Sequence, residues 1–95
     1  MSGQAQAKIH VENEKTRVTE YTFAPGASTG FHRHEYDYVI TPVTGGRLRL
    51  VGADGKETHA DLVVGRSYYR EAGLEHDVFN AGDAELRFVE VEWKR

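Results

Sequence analysis

Apolar positions along the chain recur with the short period of extended backbone, not the period of a helix. No window places apolar residues at i, i+3, i+4 and i+7 over three turns. Runs rich in Val, Ile, Thr, Tyr and Phe recur instead, punctuated by Gly, Pro, Asn and Asp. They predict strands over 8–11, 17–24, 35–41, 47–51, 57–62, 67–70, 77–80 and 85–93. Asp54-Gly55 carries the strongest hairpin signal, because its residue types tolerate the positive φ of a tight turn. Gly82-Asp83 predicts a second hairpin. Leu48 and Leu50 interleave with Arg47 and Arg49, which puts two leucines on one face and two arginines on the other. The last strand changes phase: Leu86 and Phe88 share one parity, Val89, Val91 and Trp93 the other. A bulge, or a strand covered on both sides, is expected there. Eight short strands with frequent turns predict an all-β sandwich or small barrel in one domain over residues 8–95, preceded by a frayed tail over 1–7.

Length agrees with that reading. Ninety-five residues, 39% of them hydrophobic, suffice for one core without staples. Twelve Lys and Arg are scattered among fifteen Asp and Glu, giving a formal charge of −3. Without a clustered basic stripe, nucleic acid is not an expected partner. Acidic lipid is disfavoured for the same reason, and no apolar run approaches the ~20 residues of a membrane span. The first residues have no apolar stretch of the kind a secretory signal needs. Cysteine is absent, so disulfides, thiolate metal sites and cysteine nucleophiles are excluded, and the composition fits a reducing cytoplasm.

Five histidines remain as the chemical resource. His32 and His34, at i and i+2 on an extended segment, project from one face with ring nitrogens close enough to grip one ion. Alone, such a pair is equally a feature of a polar surface strand. His76 would arrive from a distant strand, the usual way for three imidazoles to converge in a barrel. Alone it is equally a structural histidine.

Taken together, the two segments resemble the signature motifs of the cupin superfamily. Gly26, His32, His34 and Gly45 fill G-x5-H-x-H followed by glycine, and Gly65, Gly73, His76 and Asn80 fill the second motif. The resemblance runs from Gly26 to Asn80 and implies a double-stranded β-helix, or jelly-roll barrel. It implies a metal site of three neutral imidazoles, from His32, His34 and His76. Two positions depart from the pattern. Tyr38 stands where the first motif usually has glutamate, and Glu71 where the second usually has proline. Strand parity turns Tyr36, Tyr38 and Ile40 inward with the histidines, and Arg33, Glu35, Asp37 and Val39 outward. Tyr38 is thus the candidate catalytic side chain at the edge of the site. It would hydrogen-bond a water or substrate, ligate as a phenolate, or simply fill space.

A three-histidine set leaves one position on a tetrahedral ion and three on an octahedral one. The second case favours Fe(II) and resembles the sites of cupin dioxygenases that act on thiols or β-diketones; for this chain a small organic acid or thiol is the expected substrate. Zn, Ni, Cu and Mn suit the same ligands. The alternatives are an isomerase, lyase or hydrolase using the ion as a Lewis acid, and a non-catalytic barrel that binds a small ligand or senses metal. Arg47, Arg49 and Arg70 are the available carboxylate receptors, with Arg47 and Arg49 read as a solvated face. Tyr68 and Tyr69 lie on opposite faces, so both pack or one lines the cavity. His10 and His59 are read as surface residues. The stretch Tyr36-Asp37-Tyr38-Val39-Ile40 resembles a group of small bacterial cupins, some associated with β-alanine degradation. The resemblance also implies a homodimer, for which Phe23, Phe88 and Trp93 are candidate shared surface, the alternative being that they fill the core.

Overall fold

The computed structural model describes residues 3–94. Within them there is no helix, and nine strands form two antiparallel sheets. In chain order these are β1 (Gln6–Glu12), β2 (Thr16–Phe23), β3 (His32–Arg33), β4 (Asp37–Pro42), β5 (Gly46–Gly52), β6 (Glu57–Leu62), β7 (Tyr68–Arg70), β8 (Glu75–Asn80) and β9 (Leu86–Trp93). One sheet runs β1-β2-β9-β4-β7 and the other β3-β8-β5-β6. Their inner faces enclose a core of Phe23, Tyr38, Ile40, Leu48, Leu86 and Phe88 with their neighbours. The expected all-β jelly-roll is the observed architecture.

Alternation explains how each sheet turns one face inward. Along β9, Leu86, Phe88, Glu90 and Glu92 are buried, while Arg87, Val89 and Val91 are only half-buried. Its ladders to β2 and β4 run without interruption, so the bulge expected in this strand does not occur. The apparent change of phase has another cause: two glutamates occupy inward positions and valines occupy outward ones. The bulge lies in β1, where register shifts between Ile9 and Val11.

Other expectations are also corrected. The frayed tail expected over 1–7 does not hold for Gln4, which bridges Ser28, or for Gln6 and Ala7, which belong to β1. Residues 1 and 2 lie outside the described residues. The predicted strand over 35–41 starts at Asp37, and β3, too short to show a period, precedes it. Asp54-Gly55 does make the β5–β6 hairpin, with Gly55 at φ 82°. Gly82-Asp83 does not make one, because it joins β8 to a strand of the other sheet. There the Asn80 side chain holds the turn, donating to the Phe23 and Ala84 carbonyls and accepting from the Gly82 amide. At Gly46, φ is 151° and a Cβ would lie 2.7 Å from Leu86 Cδ1, so only glycine lets β5 start against β9. Phe23 and Phe88 are core residues and take no part in a shared surface, whereas Trp93 is exposed.

Candidate metal centre and its cavity

The histidines are placed by short-range backbone pairing. His32 on β3 stands directly across from His76 on β8. His34 follows β3 and is clamped to the β7–β8 loop. Its amide donates to the Leu74 carbonyl at 2.9 Å, and its carbonyl accepts from the Gly73 amide at 2.7 Å. Gly73 makes that approach at φ 96°, a conformation that explains a glycine at this motif position. The three rings converge: His34 Nε2 lies 3.0 Å from His32 Nε2 and 3.1 Å from His76 Nε2.

Protonation states follow from the surroundings. His32 Nδ1 is 2.9 Å from the Gly30 carbonyl, which can only accept, so Nδ1 carries a proton and the neutral ring keeps its lone pair on Nε2. Burial, reinforced by the neighbouring His32 and His76, lowers the His34 pKa to about 3. Burial and His32 lower that of His76 to about 4, with Asp77 acting in the opposite direction. Lone pairs crowded at 3.0–3.1 Å repel one another unless a cation or shared protons lie among them. The donor set therefore fits a single divalent transition ion.

Tyr38 stacks on His34, with ring centroids 4.0 Å apart and planes inclined by 18°. Burial, with Glu90 nearby, raises its hydroxyl above the ordinary phenol range, so the side chain is a neutral phenol. The inward parity holds for Tyr38 and Ile40, both buried, and fails for Tyr36. The Tyr36 ring does not line the cavity and lies near Arg17, whose Cζ is 5.9 Å from its centroid. Asp37 faces away from the histidines and accepts from the Tyr69 hydroxyl and the Ala72 amide.

The imidazoles line a cavity of about 390 Å³ between the sheets. Leu48, Leu50, Ile40 and Phe88 supply apolar wall, and Tyr21 and Tyr68 line it as well. Of the two adjacent tyrosines, Tyr68 is the one that faces in, while Tyr69 is exposed. Arg70 reaches the rim with its guanidinium 4.6 Å from the Tyr68 ring centroid. Arg47 and Arg49 stay outside the cavity, paired with Asp61 and Glu57, as their parity requires. His10 pairs with Glu20 on the surface, and His59 is exposed at the rim.

The sequence reading found no carboxylate to replace the one lost at Tyr38. The structure has two, on β9. Glu92 accepts two hydrogen bonds from the Arg17 guanidinium, at 2.7 and 3.0 Å. Glu90 lines the cavity, and burial together with Glu92 raises its pKa to about 8, Arg17 opposing the shift. One oxygen from each carboxyl and a ring nitrogen of His34 lie within 4.8 Å of one another. The available signal was parity, since Glu90 and Glu92 continue the inward series begun by Leu86 and Phe88.

The model of the cupin domain matches residues 19–92. The chain belongs to the cupin family. A Pseudomonas aeruginosa cupin relative, the β-alanine degradation protein BauB, is 51% identical over 99% of this chain and 100% of its own. A crystal structure of a cupin domain from Bordetella pertussis superposes with a TM-score of 0.95 at 42% identity, covering 100% of this chain and 98% of that one. An uncharacterised Klebsiella pneumoniae protein with a double-stranded β-helix domain shares the fold, with a TM-score of 0.79 at 21% identity over 99% of this chain and 80% of its own. Cupins commonly bind a metal, and a group of three converging histidines that could hold one is present here.

Proposed function

We propose that this cupin is a metal-dependent enzyme acting on a small organic acid or thiol, with His32, His34 and His76 holding one divalent transition ion. The carrying observation is the convergence of three Nε2 atoms at 3.0 and 3.1 Å. Neighbouring corners of an octahedron with ~2.1 Å metal–nitrogen bonds are ~3.0 Å apart, against ~3.4 Å for a tetrahedron. The spacing favours an octahedral ion, with Fe(II) the preferred member of a group that includes Zn, Ni, Cu and Mn. When bound, such an ion supplies redox chemistry toward O2, and the reaction we propose is that of a dioxygenase. The chain's own residues do the rest. His32 is held in its ligating tautomer by the Gly30 carbonyl, and Tyr38 fixes the plane of the His34 ring by stacking. The apolar walls from Leu48, Leu50 and Phe88 limit water around the substrate. The name of the similar Pseudomonas protein supplies the setting we adopt, the breakdown of β-alanine or of an acid derived from it.

The test is metal content by mass spectrometry of protein purified without a histidine tag, beside an anaerobically iron-loaded sample assayed for oxygen uptake with small acids and thiols. Stoichiometric iron and substrate-dependent oxygen uptake are expected. Bound metal without oxygen uptake would replace the dioxygenase with an isomerase, lyase or hydrolase. Failure to bind any metal would leave a ligand-binding barrel.

We also propose a cytoplasmic homodimer. Across the outer face of the larger sheet, Val11, Val18, Val91, Val39 and Tyr69 stand side by side as one rung. Val11 and Tyr69 are exposed, and so is the nearby Trp93. This stripe, not Phe23 and Phe88, is the apolar surface a second copy would cover. A monomer in sedimentation equilibrium would refute it.

A further inference from the structure

The cavity wall built by the larger sheet carries a buried carboxyl, Glu90, that the proposed chemistry does not use. On the inner face of the larger sheet, one rung reads Arg17, Glu92, Tyr38, Arg70 and the next Thr19, Glu90, Ile40, Tyr68. Tyr21 and Phe88 lie in the rung beyond. Glu90 is therefore central, with Tyr21 and Tyr38 diagonal to it and Tyr68 one strand past Ile40. All four residues line the cavity.

Glu92 and Glu90 differ in partners. Glu92 is matched by the Arg17 guanidinium. Glu90 is 5% exposed, and its carboxyl has no side-chain hydrogen bond or ion pair among the described residues. Two cationic side chains line the cavity, Arg70 and Lys56, and both are exposed. Arg70 donates to the Tyr69 carbonyl and lies over the Tyr68 ring. A buried carboxyl among aromatic rings is the arrangement that receives an ammonium group: an arriving cation favours the ionised carboxylate that burial disfavours, and the ring faces offer negative quadrupole.

We infer that the substrate of this cavity carries a protonated amine as well as its acidic group, and that Glu90, walled by Tyr21, Tyr38 and Tyr68, receives the ammonium. The substrate class is then a small amino acid or amino thiol whose amine points away from the metal. The inference rests on the metal-centre reading only for the other end of the molecule. Glu90 is assigned to recognition, not to metal ligation.

Calorimetric titration of metal-loaded and metal-free protein with β-alanine, propylamine and propionate tests this. Both amines are expected to bind more tightly than propionate by about tenfold or more, the range of a charge-assisted contact. Glu90→Gln, which keeps shape and removes charge, is expected to abolish that preference while propionate affinity and metal stoichiometry stay unchanged. Tyr68→Leu, which leaves the carboxyl in place, should weaken amine binding and serves as the second variant if Glu90→Gln melts abnormally. Equal binding of propionate and β-alanine, no binding of either amine, or an amine preference that survives Glu90→Gln would overturn the inference. Loss of metal in Glu90→Gln would also overturn it, by making Glu90 a ligand. The two readings can fail separately. An amine preference retained in metal-free His76→Ala protein supports the ammonium site whatever the metal does, whereas stoichiometric metal without amine preference refutes that site alone.

Discussion

The two walls of the cavity are built on different principles. The smaller sheet contributes His32 and His76 as a cross-strand pair, with His34 anchored just beyond it. These imidazoles are crowded onto one point. The larger sheet contributes Glu90, Tyr21, Tyr38 and Tyr68, which are acidic or phenolic and spread over three rungs of four strands. One wall concentrates lone pairs; the other distributes charge and ring faces. A pocket so divided can hold an ion on one side and orient a polar ligand from the other, with the His34 ring at the boundary between them.

Substitutions that act on one wall only would sharpen this contrast. The largest effect is expected on the histidine side. In the proposed site His76→Ala removes a ligand outright, so metal affinity should fall by more than the ~10–100-fold typical of losing a residue that merely supports one. The metal-dependent rise in melting temperature should vanish with it. His10→Ala and His59→Ala should change neither. Retention of full metal occupancy in His76→Ala would break the three-histidine site.

On the opposite wall the largest expected effect is on stability. Arg17→Ala strands the buried Glu92 carboxylate next to Glu90. Loss of a partner from a buried pair costs ~3–5 kcal/mol, and the partial exposure of the guanidinium reduces this to about 2–3 kcal/mol here. Adding Glu92→Gln to the Arg17→Ala variant should recover most of it, as read by urea denaturation. No recovery would mean that Arg17 acts through packing on Tyr36.

The walls should also respond to pH with opposite signs in the metal-free protein. His34 and His76, held well below 6.5, bind fewer protons folded than unfolded, so stability rises as pH climbs from about 3 toward 6.5. Glu90, raised from 4.5 to about 8, binds more protons folded than unfolded, so stability falls across that window and levels off above it. The melting temperature should peak near pH 6–7, where the histidine gain ends and the glutamate loss continues. Glu90→Gln should flatten the alkaline side and leave the acidic side intact. An unchanged alkaline side would show that Glu90 does not titrate in this range.

How much of each wall was legible in the sequence differs for a physical reason. The histidine wall is written locally: His-x-His fixes two same-face ligands by strand parity, and the spaced glycines Gly26, Gly65 and Gly73 all take positive φ at the turns around them. The resemblance to cupin motifs then brought His76 to the same point. The other wall is assembled by register between β2, β4, β7 and β9, which no spacing within one strand reveals. Glu90 and Glu92 sat in plain view, but Val89 and Val91 beside them looked like the buried set, and the strand was expected to bulge. The valines are in fact the outer face. The short strand β3 was hidden because two residues carry no period, and its pairing with β8 is a tertiary outcome. Arg47 and Arg49 show where parity alone suffices: Leu48 and Leu50 line the cavity and the arginines face out. Arg47→Ala should accordingly be the smallest effect, within about 0.5 kcal/mol, because its pair with Asp61 is fully exposed to solvent screening.

The central claim is that His32, His34 and His76 form one metal centre independent of the acidic wall. Its most direct test is an anaerobic cobalt(II) titration of tag-free protein, followed by visible absorption, in wild type, His34→Ala and Glu90→Gln. The account predicts saturation at one equivalent in wild type and Glu90→Gln, with no saturable signal in His34→Ala. Saturation persisting in His34→Ala, or lost in Glu90→Gln, would contradict it.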